Sequence, residues 1–179
     1  MIVIHMVASL DGYVASNDNS YDWLEIQDSY ANGKHLSEED IHHFLEAIDC
    51  YVMGSKTYEL ALKLGWPYGE KPVVVATQRQ LQSDRSTVKF SNTGLQVLAQ
   101  ELNNNYKNIW LVGGPILVKE FLNQQLADKI IVTIKPIILG DGLPFFKDIQ
   151  KEHRLHLEDV VAYQTGMVEL SYTFQSDTI

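Results

Sequence analysis

The chain has 179 residues, 45% of them hydrophobic, and 14 lysines and arginines against 23 aspartates and glutamates, for a formal net charge of −9. Such a length and apolar fraction are most simply one domain around one core. The negative charge, with no basic run, argues against nucleic-acid binding, and no apolar run approaches the ~20 residues that span a bilayer. The single cysteine, Cys50, leaves no internal disulfide and no cysteine metal cluster, and it predicts a reducing, cytoplasmic setting with no metal site.

Ile2 to Val7 is apolar without a basic leader, so it reads as a buried first strand, not a signal peptide. Asp11-Gly12 is a turn before the short apolar piece Tyr13-Val14-Ala15. From Ser16 to Lys34 there is neither helical nor alternating periodicity, and aromatics (Tyr21, Trp23, Tyr30) mix with Asn and Asp; such a stretch reads as a functional loop or lid. Ser37-Glu-Glu-Asp40 has the form of a capping box, and Ile41, Phe44, Leu45 and Ile48 follow at helical spacing. His42 and His43 on that helix point about 100° apart, so they do not chelate one metal together.

Asp49 to Gly54 is a strand feeding a helix that opens on Ser55-Lys-Thr-Tyr58, with Ser55 as its expected cap. Two hydroxyls and a cation at a helix start either serve the helix itself or receive a phosphate. Lys71 to Thr77 is so rich in valine that both faces should be covered, as in a parallel sheet. It ends in Thr77-Gln78-Arg79, where open α/β sheets collect ligands, and Arg79 is either a solvated loop residue or a planar fork on a phosphate. Thr87 to Phe90 is a short strand and Thr93 to Asn103 a helix. Ile109 to Val112 is a strand, Gly113-Gly114 a tight turn, and Pro115 opens a helix carrying Leu117 and Phe121. The glycine pair is either a close-packed turn or a place where an anion approaches the free N–H groups of the helix start. Lys129 to Leu139 is a strand interrupted at Pro136, Gly140 to Pro144 a turn, and Leu155 to Gln164 with Met167 to Gln175 a terminal hairpin. Alternating strands and helices followed by a hairpin predict an α/β fold with a mixed, mostly parallel sheet.

Five segments occur in the order found in the dihydrofolate-reductase-like superfamily: Met6–Ala15, Val52–Tyr58, Pro72–Arg79, Trp110–Pro115 and Pro136–Pro144. The chain most resembles stand-alone relatives of the reductase domain of the bifunctional riboflavin-biosynthesis deaminase-reductase, and the likeness spans residues 1–179 as one domain. It implies a three-layer fold with helices on both faces of the sheet, a homodimer, and an NADPH-dependent reductase that passes a hydride to a C=N or C=O of a small heterocycle. A dihydrofolate- or pterin-type reductase is an alternative within that class. A nucleotide-binding module without turnover is the alternative outside it. The zinc deaminase signature is absent from this sequence, so deamination is not expected of it.

The resemblance also implies roles. Gly54, Ser55, Lys56 and Thr57 would take phosphate oxygens, and Thr77, Gln78 and Arg79 would lie near the adenosine ribose and its 2′-phosphate. Val112, Gly113, Gly114, Pro115 and Ile116 would run beside pyrophosphate and nicotinamide, with Ala8, Val14 and Ala15 lining the nicotinamide pocket. Ser9, Asp11, Asp22 and Trp23 are the expected substrate-side residues; Asp11 would brace the loop through backbone hydrogen bonds, and Asp22 is either the proton donor or simply solvated. Many relatives carry arginine where this chain has Ser55 followed by Lys56, which shifts discrimination between NADPH and NADH onto Arg79.

Overall fold

The computed structural model describes residues 1–18 and 20–175; Asn19, part of the expected loop, lies outside them. Among the described residues, ten strands and four α-helices follow in chain order: β1 (Ile2–Ser9), β2 (Tyr13–Ala15), α1 (Glu38–Glu46), β3 (Cys50–Gly54), α2 (Ser55–Lys63), β4 (Val73–Ala76), β5 (Val88–Ser91), α3 (Leu95–Asn105), β6 (Ile109–Gly113), α4 (Pro115–Asn123), β7 (Lys129–Lys135), β8 (Leu143–Pro144), β9 (Leu155–Ala162) and β10 (Val168–Phe174). Eight strands form one sheet in the order β5-β4-β3-β6-β1-β7-β10-β9, and β2 with β8 forms a separate two-stranded ribbon. The fold is α/β, with a mixed, mostly parallel sheet and a C-terminal antiparallel hairpin, as expected.

The chain divides into two compact units, Met1–Ile4 with Leu45–Asp128, and His5–Phe44 with Lys129–Ile179. In the first unit the strands pair in parallel: Val52 stands opposite both Val74 and Leu111, and Ile2 to Ile4 pair with Ile109 to Leu111. Ile2, Val52, Val73, Val75, Ile109 and Leu111 are wholly buried. This is the physical meaning of their near-continuous apolar runs, because a strand covered on both faces has no solvent side to mark with polar residues. Cys50 is in that core, and burial pushes its thiol up to about 12. The ends of the unit are tied by side chains bonded to backbone. Asp49 accepts from the N–H groups of Lys107 and Asn108 at 3.0 and 2.8 Å, and Lys71 Nζ donates to the carbonyls of Leu45, Glu46 and Ile48 where α1 ends.

In the second unit β10 runs antiparallel to both β7 and β9, closed by a turn in which Gly166 has φ +77°. The segment expected as an irregular loop contains a 3-10 turn, Asp22–Glu25, that buries Trp23. Its later part is fastened to the hairpin: Asp28 N–H donates to Thr165 O, Tyr30 N–H to Gln164 O, and Lys34 N–H to Ala162 O at 2.7 Å. Residues 28–34 are therefore anchored backbone rather than a free lid.

Two local expectations are corrected. The capping box is present, since Ser37 Oγ accepts from Asp40 N–H and the Asp40 carboxylate accepts from Ser37 N–H, each at 3.1 Å. Yet α1 has no buried residue, and Ile41 and Leu45 are 44% and 37% exposed; Ile48, the last of the four apolar positions, is buried only after the helix has ended. The ends of this nine-residue helix are held by side chains, the Ser37/Asp40 box at its start and Lys71 Nζ on the carbonyls of Leu45 and Glu46 at its end, while its apolar stripe stays partly open. Ser55 is not the cap of α2 but its first helical residue. The cap is Gly54, still extended at φ −83°, ψ 164°, with no side-chain bond to the helix start. The strand ends at Gly54 as expected, and the helix begins one residue earlier than expected.

Candidate functional site

The first unit carries two helix starts at adjoining strand ends. β3 and β6 are paired neighbours, with Met53 opposite Gly113, and each passes directly into a helix, α2 and α4. Both helices are capped by glycine, Gly54 and Gly114, with no side-chain hydrogen bond capping either start. Their first-turn N–H groups are thus not claimed by a capping side chain, and the helix dipoles add partial positive charge there.

At the two cap positions a Cβ would make only ordinary contacts, 3.9 Å from Gly113 O for Gly54 and 3.4 Å from Thr57 Oγ1 for Gly114, so close approach does not by itself require glycine there. Gly113 has φ +114°, in the region that favours glycine, and the bond joining it to Gly114 is cis. Gly54, Ser55, Thr57, Val112, Gly114 and Pro115 are half-buried around this cradle, with Gly113 buried and Lys56 and Ile116 exposed.

The third expected element of this unit follows β4. Thr77 Oγ1 accepts from Arg79 N–H at 3.1 Å, a local turn that fixes the arginine's backbone, and Gln78 Nε2 donates to Asn92 O at 3.3 Å. The Arg79 guanidinium is not simply solvated. Its Nη2 lies 2.7 Å from Glu59 Oε1 on α2, and the pair lifts Arg79 and lowers Glu59 from their ordinary values. Glu59 escaped the sequence reading, because nothing in the spacing of residues 59 and 79 signals a contact.

The second unit carries the other group of expected residues. Ala8, Ser9 and Ala15 are buried, Val14 is half-buried, and Asp11 organises the turn between β1 and β2. Its carboxylate accepts from Ser9 Oγ at 2.6 Å, Leu139 N–H at 3.1 Å and Gly140 N–H at 2.7 Å, so it braces the 139–140 backbone as expected. The Ser9 hydroxyl and those backbone donors hold Asp11 below the usual carboxylate value. Gly142 completes the brace. With φ +153°, its Cβ position would fall 2.1 Å from Ala15 O, so only glycine lets the 140–144 turn lie against β2.

A cavity of about 390 Å³ opens beside this brace, lined by Ser16, Asp18, Ser20, Trp23, Leu139 and Asp141 together with Asn17. The loop is held in place by Ser16 Oγ on Asp18 at 2.5 Å and Asn17 Nδ2 on Asp141 at 2.7 Å. Those hydrogen bonds lower both carboxyls from their ordinary values. Trp23 Nε1 is buried and finds no hydrogen-bond partner among the described residues. Asp22 does not line the cavity; it is exposed, with its backbone N–H on Ser20 Oγ at 3.1 Å.

The sequence reading also missed a half-buried polar group on β1, β7 and β10. His5 Nε2 lies 3.3 Å from Thr133 Oγ1 and 3.6 Å from Glu169 Oε2, and Thr133 Oγ1 donates to Glu169 at 3.1 Å. Its members lie up to 164 positions apart in the chain, and only strand pairing brings them together. Among the described residues no group of three or more His, Cys, Asp or Glu side chains could hold a metal ion, and no helix is long and apolar enough to cross a membrane.

Comparison with known proteins bears on the whole chain. YwjB of Bacillus subtilis (strain 168) is 32% identical over 95% of both chains, and YyaP of the same organism is 26% identical over 96% of this chain and 93% of its own. Among solved structures, a protein from Shewanella sp. PV-4 superposes with a TM-score of 0.84 at 23% identity, covering 98% of this chain and 99% of the other. RibD of Acinetobacter baumannii superposes at 0.69 with 15% identity, and there this chain spans only 57% of the longer protein. These superpositions establish the fold as that of the dihydrofolate-reductase-like RibD domains. The sequence profile of the RibD C-terminal domain matches residues 1–169, and the chain belongs to the RibD C-terminal domain family.

Proposed function

We propose that the protein is an NADPH-dependent reductase acting on a small heterocyclic C=N or C=O. The observation that carries this reading is the pair of glycine-capped helix starts at the adjoining ends of β3 and β6, with Arg79 at the end of β4. Two phosphates and a 2′-phosphate are the anions that such an array suits. The family supports it: a structural relative from Thermotoga maritima is described as a diaminohydroxyphosphoribosylaminopyrimidine deaminase and 5-amino-6-(5-phosphoribosylamino)uracil reductase, with a TM-score of 0.69.

The residues fit the cofactor's phosphates. The N–H groups of Ser55, Lys56, Thr57 and Ile116 are the proposed donors, the Thr57 hydroxyl adds a fifth, and Lys56 adds a charge. Ala8, Val14 and Ala15, small or β-branched, form the proposed wall for the nicotinamide. The bound cofactor supplies the hydride; the chain's task is to orient it and exclude water. Trp23 is the proposed stacking surface for the substrate ring, with Ser9 and Asp11 holding the adjacent turn. Asp22, exposed and free to reach water, is the proposed proton source.

One observation favours the pterin-type alternative. No lysine or arginine appears among the residues lining the second unit's cavity, whereas Asp18 and Asp141 do. Carboxylates welcome the N–H groups of an amino-heterocycle and repel a phosphate, so an unphosphorylated pterin-like ring suits this lining better than a phosphoribosyl compound.

Titration of the protein with NADPH, read by tryptophan fluorescence, tests the cofactor, with binding expected below ~100 μM, within the usual range for such enzymes. No binding at that concentration would sink the proposal. Reduction of a panel containing phosphoribosylaminouracil and pterin substrates separates the two substrate readings, and NADPH binding without turnover on any of them favours the non-catalytic module. A homodimer is the proposed assembly, and sedimentation at a mass of about one chain would overturn it.

A further inference from the structure

The ion pair at the end of β4 carries a consequence for cofactor choice that the resemblance does not supply. Arg79 follows the Thr77 turn, and its guanidinium lies against Glu59 Oε1 at 2.7 Å, with the two side chains 54% and 42% exposed. Glu59 is the fifth residue of α2, one turn beyond the helix start formed by Ser55, Lys56 and Thr57. Lys56 and Lys63 also act on its charge. In a chain with a formal net charge of −9, three cations are therefore gathered around one carboxylate beside a glycine-capped helix.

A carboxylate in that position treats the two nicotinamide dinucleotides differently. A 2′-phosphate must take the guanidinium from Glu59 and then sit near a second negative charge, which is unfavourable in the partly desolvated space between ligand and protein. A ribose 2′-hydroxyl carries a proton that it can donate to the same carboxylate, leaving the ion pair in place.

We propose that Glu59 is a specificity-determining residue for the adenosine end of the cofactor: it holds Arg79 in the absence of a 2′-phosphate, receives the 2′-hydroxyl of NADH, and so narrows the preference for NADPH. The inference rests on the cofactor reading above and adds to it that the chain accepts both dinucleotides. It also supplies a structural counterpart to the Ser55-Lys56 departure. Where a second arginine is lacking, the one arginine present is shared with a carboxylate, and discrimination becomes a competition for it.

The test is isothermal titration of wild type, Glu59→Gln and Arg79→Ala with NADPH, NADH, 2′,5′-ADP and 5′-ADP. The last two lack the nicotinamide and isolate this end of the site. In the wild type the two dinucleotides should bind within about tenfold of each other. Glu59→Gln should raise the NADPH-to-NADH affinity ratio about tenfold, by tightening NADPH and weakening NADH, and 2′,5′-ADP should follow NADPH. Arg79→Ala should lower the ratio and affect 5′-ADP little. The pair is exposed, so its removal leaves folding intact, and a thermal melt of each variant confirms this. An unchanged ratio in Glu59→Gln, with NADPH still bound, overturns the role of Glu59 and leaves the cofactor reading standing. Failure of the wild type to bind either dinucleotide overturns both.

Discussion

The two units of this molecule hold the turns at their strand ends by opposite means. In the first, the parallel strands β3 and β6 end in glycine, and the helix starts that follow are left without side-chain caps, so the surface offered there is largely main chain. In the second, the corresponding turn is held by carboxylates: Asp11 on Leu139 and Gly140, Asp18 on Ser16, Asp141 on Asn17. The difference teaches where each unit is vulnerable. A main-chain surface depends on the core that sets the strands, whereas a side-chain brace can be removed one carboxylate at a time.

The largest expected effect follows from the first half of that contrast. Leu111, wholly buried on β6 two residues before Gly113, should cost about 2–5 kcal/mol as Leu111→Ala, measured by denaturant unfolding. Dinucleotide affinity should fall with it, because the strand end carrying the glycine cradle loses its support. A large loss of stability with affinity untouched would break the link between core and cradle.

Next comes Gly142→Ala in the second unit. The new methyl would meet the Ala15 carbonyl at 2.1 Å in a backbone of φ +153°, so the ribbon of β2 and β8 must shift, at a cost of about 2–3 kcal/mol. The melting temperature reads the loss, and the fluorescence of the Trp23 region reads the shift; neither should respond if the turn adapts freely.

Asp11→Asn is a milder cut into the same brace. The carboxylate's charge-assisted bonds to Leu139 and Gly140 weaken, and hydrogen-exchange protection of those two amides should fall while that of Val52 and Leu111 stays. Equal loss in both units would show that the brace is not local.

The smallest effect is a titration. Asp40 is held down to about 2 from 3.8, chiefly by the Ser37 hydroxyl, with the Ser37 N–H and Lys34 adding to it. Its folded value lies below its unfolded one, so its stabilising contribution is complete above about pH 4 and fades as the pH falls through 2. Amide exchange at the start of α1 should quicken across that window, and the Ser37→Ala variant should show a weaker dependence.

The sequence made the first unit readable and left much of the second hidden. Apolar runs ending in glycine and followed by helical spacing point to β3 and β6 and their turns, and a valine-dense run points to β4, because burial on both faces and a sharp turn each leave a mark within a few residues. Asp11 was legible as a brace through family resemblance, and the capping box of α1 through its local spacing. The ribbon of β2 and β8 has three residues and two, too few for any periodicity to show. Glu59 on Arg79, Asn17 on Asp141 and the His5, Thr133 and Glu169 group are contacts that only the folded topology creates. Ser55 misled for a local reason: serine at a strand-to-helix junction suits a cap, yet Gly54 already occupied that place.

The proposed function's central claim, that the first unit holds the phosphates of a dinucleotide on its glycine-capped helix starts, is most directly tested by amide chemical shifts. On addition of NADPH to the labelled protein, the N–H signals of Ser55, Lys56, Thr57 and Ile116 should move together and saturate at one ligand per chain. If NADPH leaves these four in place while other amides respond, the cradle formed by Gly54, Gly113 and Gly114 is a packing turn and the account is wrong.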